Sequence, residues 1–331
     1  MVIVFDEDLL QHVQWPDHPE SPLRLKTIMK KLEQEGLLSG ARGADPIDEA
    51  DVLKVHAPEY IRKLKKGGGV AISADMVLND NTYDLALRSA SVAVTAVRCA
   101  MDGVPSIALT RPPGHHAGKG SACGFCYLNN AAIAAEAAGV RTAIVDIDVH
   151  HCNGTEEIFY DRDDIMVISI HESKLFPHTG RIEDIGTGRG HGYNINIPVP
   201  PGSGNKTYEA AVNDIIVPMI SEFGPELIIL CLGVDAHYCD PLGHMLLNTQ
   251  DYVGICRRIY EESKDGRIAV ILEGGYHLRA TAEVLAGVAA LFGGREIKPE
   301  YGENKGDQSN GSREVRKAKE FFREQRGLRP R

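Results

Sequence analysis

The sequence predicts a single-domain α/β fold, an open and mainly parallel sheet with helices on both faces. Three observations carry that expectation. Residues 143–148, 154–160 and 165–170 read as strand, helix and strand, and such alternation favours a parallel sheet covered on both sides. Apolar runs at 143–147, 227–232 and 268–272 each hand over to polar residues, namely Asp148 with His150, Asp235 and Tyr276. Open α/β sheets bind ligands beyond the carboxyl ends of their strands. The 331 residues are 43% hydrophobic and 25% charged, which is ordinary for a globular chain with a large core.

Taken in order, residues 2–5 form a short β-branched and aromatic strand. Ser21 and Pro22 stand as N-cap and first residue of a helix whose Leu25, Ile28, Met29 and Leu32 make one apolar stripe, and Gly36 closes it. Residues 51–66 read as one largely helical, amphipathic stretch with Pro58 near a helix start. Residues 85–100 are rich in alanine, leucine and valine and read as a buried helix, followed by a strand at 106–109. Asn130 is placed to cap a helix running to Ala138, with Gly139 at its end. A strand at 193–199 lies within the glycine- and proline-rich region 176–204, whose loops suit the mouth of a pocket. Helices follow at 208–223, where Pro218 is expected to introduce a kink, at 251–263 and at 282–292. Beyond Gly294 nearly half the residues are charged, and 313–326 reads as a solvated basic helix.

The stretch 143–154, A-I-V-D-I-D-V-H-H-C-N-G, carries the densest chemistry. Read as a strand, it alternates its side chains between faces, so Asp146, Asp148 and His150 share one face. Two carboxylates and an imidazole offer oxygen and nitrogen donors that suit zinc or a similar first-row ion. An isolated cluster of this kind is more often just a hydrogen-bonded strand end. Here R-P-P-G-H-H at 111–116 adds His115 and His116, and buried ionisable groups are costly unless paired or metal-bound.

Five blocks then stand out in order: R-P-P-G-H-H-A at 111–117, A-C-G-F-C-Y-L-N-N-A at 122–131, D-I-D-V-H-H-C-N-G-T at 146–155, L-G-V-D-A-H at 232–237 and L-E-G-G-Y at 272–276. Together they resemble the histone deacetylase family, and more narrowly its class II, acetylpolyamine amidohydrolase and acetoin-utilisation branches. The resemblance spans about residues 1–294. It implies an arginase/deacetylase-like catalytic domain there, with 295–331 as a charged tail. It also implies a zinc-dependent amidohydrolase holding one Zn2+ through Asp148, His150 and Asp235. His116 is then the general base and His115 its electrostatic partner and an acid. Asp146 orients His115, Asn153 orients His116, and the Tyr276 hydroxyl stabilises the oxyanion. Gly124, Phe125 and Phe176 match the narrow acyl-lysine tunnel of the family. A potassium ion is implied on backbone oxygens near Asp146, Asp148, His150 and Ser169. His18, Pro19, Glu20, Pro22 and Arg24 fall on the family's H-P-E-x-P-x-R block. Cys152 stands where glycine is usual and Val234 where phenylalanine is frequent; neither departure removes a ligand.

The implied substrate is an acetylated cationic amine, acetyl-lysine in proteins or peptides first and an acetylpolyamine second. The net charge is −10, while residues 298–331 hold ten basic and six acidic side chains, so the body carries −14. Such a body attracts cations and disfavours nonspecific binding to nucleic acid. Leu242 in D-P-L-G and the short segment 91–106 favour acetyl-lysine, whereas the acidic body favours polyamines. An arginase-like ureohydrolase is a remoter reading, because it needs acids where Cys152 and Gly233 stand. A non-catalytic interaction protein is remoter too, since no ligand, histidine or tyrosine of the pattern is missing. No apolar run approaches about 18 residues, so no membrane span is expected. The opening M-V-I-V-F-D-E-D does not read as a secretory signal. Seven scattered cysteines fit a reducing cytoplasm better than a disulfide framework, and the Cys123–Cys126 pair reads as packing. No pattern in the chain specifies an oligomeric state.

Overall fold

The computed structural model describes residues 1–301 and 308–326. In chain order the strands are β1 (Val2–Val4), β2 (Val70–Ser73), β3 (Met76–Leu78), β4 (Ser106–Ala108), β5 (Thr142–Asp146), β6 (Ile165–Glu172), β7 (Asn194–Val199), β8 (Leu227–Leu232) and β9 (Ile268–Leu272). β2 and β3 form a separate antiparallel hairpin. The other seven make one parallel sheet in the order β1-β4-β9-β8-β5-β6-β7. Every residue of β5, β6, β8 and β9 is buried, which is why β8, β9 and most of β5 read as continuous apolar runs without alternation, while β6 also buries Ser169, His171 and Glu172. From β5 the chain moves outward through β6 and β7, then returns to the other side of β5 with β8 and β9. The order reverses between β5 and β8, and that is where such a sheet opens a crevice for ligands.

The helices are α1 (Leu23–Gln34), α2 (Glu49–Val52), α3 (Pro58–Leu64), α4 (Thr82–Met101), α5 (Asn130–Ala138), α6 (Asn153–Phe159), α7 (Asn205–Ala211), α8 (Val217–Phe223), α9 (Thr249–Tyr260), α10 (Leu278–Phe292) and α11 (Ser312–Arg326). α4 packs on α5 and on β1, β4 and β9, while α10 packs between α1 and α9. The α/β expectation therefore holds, with local differences. The stretch 51–66 divides into α2 and α3, because Pro58 needs an extended residue before it and Ala57 supplies one at φ −64, ψ 138. Ser21 makes no side-chain cap; its carbonyl accepts the Arg24 N–H instead. Asn129, not Asn130, caps α5: its side chain accepts from the Ala132 N–H at 2.9 Å, leaving Asn130 free to donate to the Pro112 carbonyl. The expected kink at Pro218 is a π turn over Val212–Ile216, which absorbs the hydrogen bond that proline cannot donate.

α11 is not a solvated tail helix. Its Val315, Ala318 and Phe322 are buried against β7 and α7, so the helix covers the edge strand of the sheet and leaves its charged residues outside. Asn310 donates to the Pro201 carbonyl at 2.7 Å, and the Asn205 N–H donates to Gln308 at 2.8 Å, fastening the approach to this helix. No helix among the described residues is long and apolar enough to cross a membrane.

Beneath the crevice lies a buried ion network. The Arg111 Nε lies 2.7 Å from Glu20 Oε1, Arg24 lies 3.5 Å from the same oxygen, and all three side chains are at most 1% exposed. Burial would raise the Glu20 carboxyl, but Arg111, His12 and Arg24 outweigh it and hold it down from 4.5 to about 2. Its contribution to stability is therefore complete above pH 4.5 and lost as pH falls toward 2. Glu20→Gln is expected to destabilise the fold by about 3 to 5 kcal/mol at neutral pH, since two buried guanidinium groups lose their counter-charge. Denaturant unfolding at pH 7 and pH 3 checks this; the gap between wild type and variant should narrow at the lower pH.

Candidate active site

The ends of β5, β8 and β9 supply most of the site. β5 stops at Asp146, so Asp148 and His150 do not converge through strand alternation. They converge because the following loop is wound by successive side-chain turns. Asp146 Oδ1 accepts from the Asp148 N–H at 3.0 Å, and Asp148 Oδ1 accepts from the His150 N–H at 2.9 Å. Asp235, past the end of β8, accepts the Val149 N–H at 2.9 Å through Oδ1 and presents Oδ2 to the same centre. The His150 Nδ1 sits 3.0 Å from Asp148 Oδ1 and 3.1 Å from Asp235 Oδ2. One donor atom from each of Asp148, His150 and Asp235 lies within 4.8 Å of the other two.

Two glycines make the room. A Cβ on Gly233 would run into the Asp148 carboxylate, and one on Gly274 would run into the carboxylates of Asp235 and Asp148. Burial and the Asp148 charge push the Asp235 carboxyl up to about 7. Burial works against the Asp148 charge as well, but His115 and His150 hold that carboxyl low. Burial opposes the charged form of His150 too, and its contacts with Asp148 and Asp235 outweigh it and raise the ring well above its usual value. Two buried carboxylates crowded on one imidazole make a centre that favours positive charge.

The paired histidines stand beside this centre with ring centroids 4.0 Å apart. The His115 Nδ1 lies 3.1 Å from Asp146 Oδ2, and the His116 Nδ1 lies 2.7 Å from Asn153 Oδ1. Burial alone would lower His115, but Asp148 and Asp146 outweigh it and push it up to about 10. Burial, then the neighbouring His115 and His150, hold His116 well below its ordinary value. One ring thus favours the cation and the other the neutral base.

Phe176 and Phe125 stand against different rings of the site. Phe176, 38% exposed, meets the His116 ring edge-on at 5.2 Å, and Phe125 meets Tyr276 at 5.8 Å. Gly124 has φ +50, and the room it leaves is filled by the His116 ring, which a Cβ there would strike. Gly275, at φ +112, makes the left-handed turn that leads into Tyr276. The Tyr276 and His277 N–H groups donate to Asp240 Oδ2 at 2.7 and 3.0 Å, and the Arg24 guanidinium lies 5.0 Å over the tyrosine ring while its Nε donates to the Gly275 carbonyl at 2.7 Å. Burial pushes the Tyr276 hydroxyl well above 10. Contacts and chain adjacency therefore link all eleven residues singled out from the sequence into one cluster.

Glu273 was not among them. Its Oε2 accepts the N–H groups of Gly114 and His115 at 2.7 and 3.1 Å and so fixes the turn that carries both histidines. The available signal was an acid directly after the apolar run 268–272, the position that Asp146 and Asp148 occupy around the end of β5.

The model of the histone deacetylase domain matches residues 18–292. A probable deacetylase of Archaeoglobus fulgidus is 39% identical over 312 residues, covering 89% of this chain and 87% of that protein. A histone deacetylase-like amidohydrolase of Pseudomonas aeruginosa is 38% identical over 276 residues, covering 78% of this chain and 72% of that protein. Among solved structures, the HDA15 HD domain superposes with a TM-score of 0.89 at 31% identity, over 98% of this chain and 94% of that one. An acetylpolyamine aminohydrolase from Burkholderia pseudomallei superposes with a TM-score of 0.80 at 28% identity, over 88% and 98%. With the family model covering most of the chain, the protein belongs to the histone deacetylase family and is a hydrolase acting on amide bonds.

Proposed function

We propose that this chain is a zinc-dependent deacetylase that removes acetyl groups from acetylated cationic amines, with acetyl-lysine in peptides or proteins as its main substrate. The observation that carries this reading is the position of the Asp148, His150 and Asp235 donor group beside two histidines whose Nδ1 atoms are both pinned. Two carboxylates and one imidazole fit a catalytic zinc, and the space kept by Gly233 and Gly274 fits the same group. When bound, the ion supplies Lewis acidity to the scissile carbonyl and to the attacking water.

Burial, His115 and His150 favour the neutral form of His116, and with Nδ1–H donating to Asn153 its Nε2 is left to accept a proton from that water. The water oxygen bonds to the acyl carbon. His115, whose Nδ1 is held by Asp146 and whose cationic form Asp148 and Asp146 favour, would stabilise the negative tetrahedral species beside it. The Tyr276 hydroxyl keeps its proton and donates to the oxyanion. As the carbon–nitrogen bond breaks, the proton passes to the leaving amine and acetate remains. Phe125 and Phe176 form the walls along which the acyl-lysine side chain lies, with Gly124 between the wall and His116. A potassium ion on backbone oxygens near Asp146, Asp148, His150 and Ser169, implied by the family resemblance, would be a structural ion. Seven free thiols fit a reducing, cytoplasmic setting.

Acetyl-lysine is favoured over acetylpolyamine by Asp240, the acid beside the mouth. Its carboxylate is 7% exposed and accepts from the N–H groups of Leu242, Tyr276 and His277, so it is turned away from a second ammonium group of a substrate. An acetyl-lysine peptide is expected to exceed acetylspermidine and acetylputrescine in kcat/KM by about tenfold or more. A preference for either polyamine would move the enzyme to the polyamine branch, and cleavage of neither amide by the metal-loaded protein would refute the deacetylase reading. Gly274→Ala is expected to lower metal content and turnover together, because its Cβ enters the space between Asp235 and Asp148; metal analysis of the purified variant checks this.

A further inference from the structure

His115, Cys126 and Glu273 form a second group of metal-ligating side chains. One donor atom from each lies within 4.8 Å of the other two, and all three residues are buried. The sequence brings them together by different routes. His115 follows the Pro-Pro-Gly turn, and Glu273 follows β9 directly. Cys126 closes a tight turn in which the Cys123 N–H donates to the Cys126 carbonyl at 3.1 Å and the Cys126 N–H returns to the Cys123 carbonyl at 2.8 Å. In that turn the thiol donates to the Gly124 carbonyl at 3.3 Å, and the His116 backbone N–H also reaches its sulfur.

A second observation points to a ligand. Glu273 is fully buried, and while Oε2 holds the Gly114 and His115 N–H groups, Oε1 has no hydrogen-bond partner. A buried carboxylate oxygen without a partner is costly, and a cation removes that cost. Thiolate, imidazole and carboxylate are the donor types of zinc, and three of them leave one position of a tetrahedron. The Asp146 carboxylate at the His115 Nδ1 is the outer partner that orients an imidazole to ligate through its other nitrogen.

We propose that His115, Cys126 and Glu273 make a second, weaker site for a divalent cation such as zinc or cobalt, at the floor of the active site, and that filling it stops turnover. It is the weaker site for two reasons. The His115 Nε2 is 3.9 Å from Asp148 Oδ1, so a second dication sits close to the first and is repelled by it. The Cys126 thiol also gives up its proton to bind. Occupancy withdraws His115 from its place beside His116, so excess metal acts as an inhibitor. The inhibitory half of the inference rests on the deacetylase reading; the binding half does not.

The test uses the full chain loaded with one equivalent of Co2+ and then titrated with a second. No cysteine belongs to the Asp148, His150 and Asp235 group, so a thiolate-to-cobalt charge-transfer band is expected to grow only with the second equivalent. Cys126→Ala is expected to abolish the band, and Glu273→Gln to weaken the second equivalent by about tenfold or more. Zinc beyond one equivalent should reduce wild-type turnover, and Cys126→Ala should keep a larger fraction of its own turnover under the same excess. Saturation at one equivalent without a band, or a band that survives in Cys126→Ala, overturns the site. Where Cys126→Ala does not fold, unchanged affinity for the second equivalent in Glu273→Gln overturns it. A band without any deacetylation by the one-equivalent protein refutes the catalytic reading and leaves the binding site standing.

Discussion

Asp235→Asn is expected to lose bound metal and turnover together, with metal affinity falling by at least about 100-fold, the upper end of what even outer partners of a ligand contribute. The substitution keeps the size of the side chain and the Oδ1 that accepts the Val149 N–H at 2.9 Å, so the loop after β5 keeps its anchor. It removes one of two like charges that are crowded on His150, so unfolding does not explain the loss. Metal analysis, turnover and a melting curve on one preparation check all three points. A variant that keeps full metal but no activity would assign Asp235 to some role other than ligation.

Tyr276→Phe is expected to lower kcat by about 100- to 1,000-fold while leaving KM and metal content nearly unchanged, since the lost hydroxyl acts on the oxyanion rather than on the bound substrate. The ring itself stays in place. Phe125 meets it edge-on at 5.8 Å, Arg24 lies over it at 5.0 Å, and its backbone N–H is held by Asp240, none of which needs the hydroxyl. Steady-state kinetics separate the cases, and an equal loss through KM would place the hydroxyl in ground-state binding instead.

The sheet was legible because its central strands are buried on both faces and carry unbroken apolar runs that end in polar residues. Asp148, His150, Asp235 and Tyr276 were legible through those same ends. The geometry that joins them was not, since Asp148 and His150 reach the centre through side-chain turns in a loop rather than along a strand. Glu273 escaped notice because its task is to hold the backbone of Gly114 and His115, 159 and 158 residues away in sequence, and no local pattern encodes that. The buried pairing of Glu20 with Arg111 is equally non-local, and only the Arg24 contact, four residues along the chain, lies within local reach. The cap of α5 falls on Asn129 rather than the expected Asn130, because an asparagine serves at either position and only the tertiary demand of the Pro112 carbonyl on Asn130 separates them. In α11 the apolar spacing of Val315, Ala318 and Phe322 was present, but the dense charge around it masked a face that the open edge of β7 was able to receive.

The most direct measurement is turnover of an acetyl-lysine peptide by the full chain before chelation, after chelation and after return of one equivalent of Zn2+. The expected result is one tightly held zinc per chain, loss of turnover on its removal and recovery with a single equivalent. Turnover that survives complete removal of metal, or a protein that binds zinc at Asp148, His150 and Asp235 yet never cleaves the amide, would contradict a zinc deacetylase.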